Sequence, residues 1–272
     1  MRRLREFFLG FLIGGTMSVP GVSGGTTAIA LGCYGEILTA AGDLKEKANR
    51  WYLIKMLLGG VCGFFLLAGG IAAALRILPL TVTAIFCGAA GAGLYLLGRE
   101  SFRTGISLNG ILFFLLGLGV VAAVERMPEM TGNTSPLLSV VWGFFLAVGI
   151  ILPGISTSHL LMVFGLYDDV AAIGGWRDLL ALLPLGIGAA AGILLLTKPL
   201  AALMKRYPSY CNFALLGFGI GSLKALIDPC IGHPQIGYLL WFQIANGLIL
   251  GAGAVWGILK LNQRKINGDA PQ

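Results

Sequence analysis

Eight long stretches of this chain carry no Asp, Glu, Lys or Arg: 7–35, 56–75, 77–98, 104–124, 130–167, 179–197, 207–223 and 229–259. A helix needs about 20 apolar residues to cross ~30 Å of hydrocarbon. Six of the eight match one crossing each, the last after a loop at 229–235 that holds Pro229, Gly232 and Pro234. Only 11% of the 272 residues are charged, 19 basic and 12 acidic, against roughly 25% in a soluble domain. A globule so poor in charge has too few groups for water to solvate. That excludes a soluble enzyme, a nucleic-acid-binding protein and a disordered chain. The 42 glycines, with no collagen period, fit closely packed membrane helices. The sequence predicts an all-α integral membrane protein.

Stretches 7–35 and 130–167 differ from the others. Each is broken by Pro-Gly followed by small hydroxyl residues, VPGVSGGTT at 19–27 and LPGISTSHL at 152–160. Proline lacks an amide donor and clashes with the preceding turn, so a helix stops there. The pieces on either side are roughly 12–15 residues, about 20 Å of helix, too short to cross. Flanking charge then gives the path. Arg2, Arg3 and Arg5 precede the first broken segment and Lys45, Lys47 and Arg50 come after it, so both its ends belong on the cytoplasmic side. It reads as a re-entrant hairpin over 7–42. The second, over 135–173, has acidic neighbours and opens to the far side. The remaining basic clusters, Arg99/Arg103, Lys205/Arg206 and Lys260/Arg264/Lys265, then fall on the cytoplasmic side with both termini. The basic N-terminal stretch lacks a small-x-small cleavage site and reads as retained. The five cysteines (33, 62, 87, 211 and 230) show neither metal spacing nor a disulfide framework and read as packing thiols.

The two broken segments superimpose without a gap at an offset of 133: Gly10/Gly143, Phe11/Phe144, Pro20/Pro153, Gly21/Gly154, Ser23/Ser156, Gly32/Gly165 and Tyr34/Tyr167. An offset of 129 carries on through Gly59/Gly188, Gly63/Gly192, Pro79/Pro208 and Gly88/Gly217, and one of 137 aligns Asn109-Gly110 with Asn246-Gly247. The chain reads as a duplication. Residues 1–130 would hold the hairpin 7–42 and crossings 51–75, 78–98 and 105–124. Residues 131–272 would hold the hairpin 135–173 and crossings 179–204, 208–227 and 236–260. Three crossings per unit is an odd number, so the second copy is inverted. Inverted repeats with discontinuous helices are a transporter architecture, with the site where the breaks meet near the midplane.

The residues at the breaks suit an anion. Pro20, Gly21, Ser23, Gly24, Gly25, Thr26 and Thr27 face Pro153, Gly154, Ser156, Thr157, Ser158 and His159 across the duplication. Free N–H groups, hydroxyls and glycines that permit close approach can hold a phosphate or carboxylate. The same Ser and Thr residues also cap the broken helices. Lys198, a turn or two inside its helix, is the lysine best placed to neutralise an anion, whereas Lys55 and Lys224 can snorkel from helix ends. His159, an imidazole directly after the second motif's hydroxyls, is a candidate proton relay, its alternative being a hydrogen-bonded packing residue. Glu36, Asp168 and Asp169 sit at the hairpin ends as secondary coupling candidates. With no Walker-type loop, HExxH motif or paired membrane carboxylates, neither a metal nor a cofactor is expected.

VPGVSGGT-A…G-x-Y at 19–34, paired with LPGIS-x-S…G-L-Y at 152–167, resembles the PopT-type polyprenyl-phosphate transporters along essentially the whole chain. The resemblance implies a bacterial cytoplasmic-membrane flippase returning undecaprenyl phosphate to the inner leaflet for reuse in cell-wall synthesis. The chain departs from the family pattern at Thr16-Met17, Thr157 and His159. The BacA-type polyprenyl-diphosphate phosphatases share hairpins and a PG-x-S loop. Their PG-x-S-R-S arginine corresponds to Thr157 here, and the first loop lacks their glutamate, so no enzyme activity is expected. A small-anion transporter is the third reading. For a lipid phosphate, inward movement against a negative interior costs ~2.3 kcal/mol per charge per 100 mV, so a compensating proton or other cation is expected.

Overall fold

The computed structural model describes residues 4–17, 22–103, 105–128, 130, 135–171, 176–227 and 238–268. No strand occurs among them. The first half runs α1 (Arg5–Thr16), α2 (Gly24–Ala30), α3 (Tyr34–Gly42), α4 (Lys47–Ile77), α5 (Pro79–Arg103) and α6 (Leu108–Glu125). The second runs α7 (Pro136–Ile151), α8 (Thr157–Val163), α9 (Tyr167–Ala171), α10 (Trp176–Ala181), α11 (Leu183–Arg206), α12 (Pro208–Ile227) and α13 (Tyr238–Gly268). Among the described residues five helices are long and apolar enough to cross a membrane, in α4, α5, α6, α11 and α13. At 20 residues and 1.5 Å each, α12 spans ~30 Å as well.

Both broken segments fold back on themselves. α1 ends at Thr16 and α2 opens at Gly24, with Ser23 as its N-cap. α2 closes at Gly32, where φ is +69° and Cys33 N donates to Ala28 O while Gly32 N donates to Ile29 O. That pair of bonds ends a helix on a left-handed residue, which glycine adopts without a Cβ penalty. Gly165 repeats the closure on α8 at φ +68°, with Leu166 N donating to Leu161 O and Gly165 N to Met162 O. The return legs come back to where the first legs began. Arg5 pairs with Glu36 at 3.1 Å, and Met130 N donates to Val163 O at 2.7 Å.

Glycine sets how closely the helices pack. A Cβ on Gly59 would strike the carbonyl of Phe7, one on Gly10 that of Met56, and one on Gly63 that of Phe11, so α1 and α4 meet backbone to backbone. α7 and α11 meet in the same way through Gly188 on Val140, Gly143 on Leu185 and Gly192 beside Phe144. α13 packs along α5 and α6 along α12, while α5 and α12 cross at the centre. There Leu94 faces Gly219 and Leu216 faces Gly98, so these two helices run in opposite directions.

Two details depart from expectation. The crossing expected at 179–204 is divided at Leu182, because Pro184 lacks an amide donor and starts α11 in its first turn. Of the thiols, Cys33 and Cys211 are buried but Cys62 lies on an exposed face.

Candidate functional site

The two interrupted loops touch. Thr26 Oγ1 accepts a hydrogen bond from Gly154 N at 3.0 Å in a buried setting. A Cβ on Gly25 would lie 2.8 Å from Pro153 Cα, so only glycine lets α2 approach the second loop this closely. Gly154 itself has φ +86°, and a Cβ there would strike the Phe218 carbonyl on α12. Tyr34, at the start of α3, adds a second tie by donating from its hydroxyl to Ile151 O at 2.9 Å. One hairpin's start of helix is thus held against the other hairpin's break.

Ser23 is 1% exposed, and its Oγ accepts from Gly25 N at 3.3 Å. Ser156 caps α8 in the corresponding way, accepting from His159 N at 3.4 Å. Both serines therefore act as caps, as their position after Pro-Gly predicts. A hydroxyl that accepts still has its own proton to give. Ser23 and Thr26 spend acceptor capacity on Gly25 N and Gly154 N, which leaves their O–H protons to donate. Thr27 Oγ1 bonds Thr16 Oγ1 at 2.9 Å, and Thr16 in turn donates to Ile13 O.

Beside these hydroxyls is a cavity of about 150 Å³. Thr16, Ser23, Thr26, Thr27 and Ser222 are among its lining residues, yet nearly all of its open surface is apolar, with Leu12, Ile85, Phe86, Val255 and Ile258 in the wall. Among the described residues no charged side chain lines it. The sequence pattern does not mark Thr16 or Ser222 as site residues. Ser222 donates to Gly219 O at 2.8 Å, the ordinary habit of a helical serine, so nothing in its spacing sets it apart.

The other candidates are distributed more widely. His159 is half-buried, and its Nε2 lies 3.1 Å from the Val124 carbonyl near the end of α6, which makes Nε2 the donor in that contact. Thr157 is half-buried at the start of α8. Lys198 is exposed on α11 next to Thr197, whose hydroxyl turns inward to Ile193 O, and among the described residues no bond joins Lys198 to either loop. Asp168 and Asp169 are exposed at the start of α9. Glu36 holds Arg5 and accepts from the Tyr52 hydroxyl at 3.3 Å. Lys55 reaches Glu6 at 3.7 Å instead of snorkelling, and Lys224 is exposed near the end of α12. Pro20, Gly21 and the side chain of Ser158 lie outside the described residues, as does the loop at 229–235. Among the described residues no group of His, Cys, Asp and Glu is arranged to hold a metal.

A family model described as undecaprenyl phosphate translocase-like matches residues 13–229. A polyprenyl-phosphate transporter of Staphylococcus aureus is 27% identical over 262 residues, covering 89% of this chain and 91% of that protein. A polyprenyl-phosphate transporter of Vibrio cholerae serotype O1 is 24% identical over 242 residues, covering 83% and 78%. No solved structure matches the chain. The apolar helices and these relatives together make it a multi-pass membrane protein. Since the family model takes in both interrupted loops and most of the sequence between and around them, the chain belongs to the undecaprenyl phosphate translocase-like family.

Proposed function

We propose that this protein carries a polyprenyl monophosphate, undecaprenyl phosphate in the bacterial cell, from the outer to the inner leaflet of the cytoplasmic membrane for reuse in cell-wall synthesis. The observation that carries the reading is the Thr26–Gly154 contact, which brings the Ser23 and Thr26 hydroxyls of the first break against the second. The family and the names of the two relatives support the same cargo. An anion bare in hydrocarbon costs many kcal/mol, while the prenyl tail is at home there. Only the phosphate has to enter the protein, where the hydroxyls of Ser23 and Thr26 offer donors, with Thr157 and Ser156 across the contact.

The architecture that suits this task is an inverted repeat, with two re-entrant hairpins, six crossings and both termini in the cytoplasm. The matched helix closures at Gly32 and Gly165, the matched glycine contacts of α1–α4 and α7–α11, and the antiparallel crossing of α5 with α12 support it. Such a repeat lets inward-open and outward-open states be near mirror images. His159 is the candidate for the compensating proton. One residue past the carbonyl it faces, Glu125 has a buried Oε1 with no hydrogen-bond partner among the described residues. Glu36, Asp168 and Asp169 are the alternatives, and Lys198 has an exposed position from which to meet the head group only after a rearrangement.

The chemistry is transport without catalysis. Hydrolysis of a diphosphate needs cationic charge on the leaving phosphoryl group, and Thr157 stands where the BacA-type enzymes carry an arginine. The test is binding and leaflet exchange of monophosphorylated, diphosphorylated and unphosphorylated polyprenols with the purified protein in vesicles. Preference for the monophosphate and its protein-dependent exchange support the proposal. Release of inorganic phosphate from the diphosphate overturns the non-enzymatic part. Uptake of a small anion undisturbed by excess lipid phosphate overturns the cargo.

A further inference from the structure

A second concavity opens on the other face of α5. It is larger, about 920 Å³, and runs between α5, α6 and α12 past Gly91, Leu94, Tyr95, Phe102, Phe213 and Ile220. One end differs in kind, because Arg99 and Arg103 line it a single turn apart on the same helix face. Arg103 approaches Glu100 at 3.8 Å, with both side chains well exposed, and such a pair is worth little in water. The groove is thus apolar and aromatic along its length and cationic at its mouth. The smaller cavity described above has no cation among the described residues that line it. α5 separates the two, since Ile85, Phe86 and Ala89 line the small cavity.

We propose that this groove is a docking station for the prenyl phosphate at the cytoplasmic end, with the isoprenoid chain along α5 and α12 and the phosphate between Arg99 and Arg103. The inference rests on the transport reading and extends it by naming where the lipid waits before or after the hairpins handle its head group. The charge pattern commits the groove to an anionic lipid. Guanidinium groups bind phosphate oxygens in a planar, two-pronged fashion, and a branched apolar tail fits aliphatic and aromatic walls. A role as topological anchors alone asks only that the arginines be near the interface, not that both face one groove.

The sequence adds an asymmetry. At the offset of 129, Arg99 corresponds to Asp228 and Arg103 to Gly232, while Tyr95 corresponds to Lys224. The positions corresponding to the two arginines therefore carry an aspartate and a glycine, and the nearby Lys224 stands opposite Tyr95. A phosphate is held better at the arginine end, which favours delivery there.

The experiment uses the full-length protein in lipid nanodiscs with a monophosphorylated prenol bearing a photoreactive group in its tail, and the matching unphosphorylated prenol. Three proteins are compared: wild type, the double variant Arg99→Gln/Arg103→Gln, and Gly91→Leu. Gly91 is a safe place to fill the groove, since a Cβ there meets nothing within 4 Å. In the wild type, cross-links should map to peptides covering 91–103 and 213–220. The double glutamine variant should weaken monophosphate labelling there by about tenfold or more, the worth of a charge-assisted hydrogen bond, and leave prenol labelling unchanged. Gly91→Leu should weaken both. Labelling confined to 22–31 and 251–258, with all three proteins alike, would overturn the groove while leaving the transport reading standing. If the wild type neither labels with nor moves the monophosphate, the transport reading itself fails.

Discussion

Replacing Thr26 separates the two jobs assigned to its hydroxyl, holding the loops together and donating to a phosphate. Thr26 is 4% exposed and accepts from Gly154 N at 3.0 Å. Thr26→Val keeps the shape, so no cavity term arises, but it orphans a buried N–H and removes the donor. Hydrogen bonds between helices in membrane proteins are worth ~0.6 kcal/mol on average and about 1.7 at most. A loss of ~1 kcal/mol lowers the melting temperature of a chain this size by roughly 2–4 °C. The effect on the ligand is larger, because a hydrogen bond to a charged group is worth ~1.5–3 kcal/mol, or about tenfold to a hundredfold in affinity. Thr26→Ser is the decisive control. It deletes one buried methyl, about 0.8 kcal/mol, and keeps the hydroxyl. The two variants should therefore melt within a few degrees of each other, yet only Thr26→Val should lose affinity for prenyl monophosphate. Thermal unfolding and calorimetric titration of the purified protein read both quantities. If the valine variant binds as the wild type does, the hydroxyl only joins the loops. If both variants lose affinity equally, packing is responsible.

Gly25→Ala should abolish leaflet exchange in a protein that still inserts, because its Cβ would press on Pro153 Cα at 2.8 Å, whereas Gly35→Ala, with nothing within 4 Å, should be silent. Gly59→Leu and Gly188→Leu should each destabilise by about 1–3 kcal/mol or more in thermal melts, since both drive a side chain into a facing carbonyl. One tolerated and the other not would count against equivalent packing in the two halves. Ser156→Ala should cost about 1 kcal/mol through the lost cap of α8, read as a lower melting temperature. With membrane potential clamped, transport by His159→Gln should lose its response to an imposed pH gradient; an unchanged response reduces His159 to its bond with the Val124 carbonyl.

The breaks were legible because proline acts locally. Pro153 follows directly on the end of α7, and Ser23 and Ser156 cap α2 and α8 for the same local reason. Glycine at an offset of 133 or 129 likewise showed where two backbones would touch, though not which ones. The contact between Thr26 and Gly154 spans 128 residues and depends on how two hairpins rotate about their axes, which hydropathy does not encode. The same rotation leaves Lys198 on the outside of α11 and turns its neighbour Thr197 inward. Pro184 was visible yet uninformative, since a proline in a first turn continues an apolar run as readily as it divides one. Ion pairs such as Lys55–Glu6 join residues far apart in sequence and leave no periodic trace.

The glycine seam between α1 and α4 has a mechanical consequence. Where Gly10, Gly14, Gly59 and Gly63 bring two backbones into direct contact, there are no long side chains to change rotamer and let one helix slide over the other. The interface is close to a weld, and the one between α7 and α11 is its counterpart. Each hairpin's first leg then travels with a neighbouring long helix as one strut. Relative movement is then left to the turns that close α2 and α8, at Gly32 and Gly165, and to the crossing of α5 with α12. On the transport reading proposed above, a head group would be passed along by pivoting of stiff pairs, with the stroke set by how far those few joints bend.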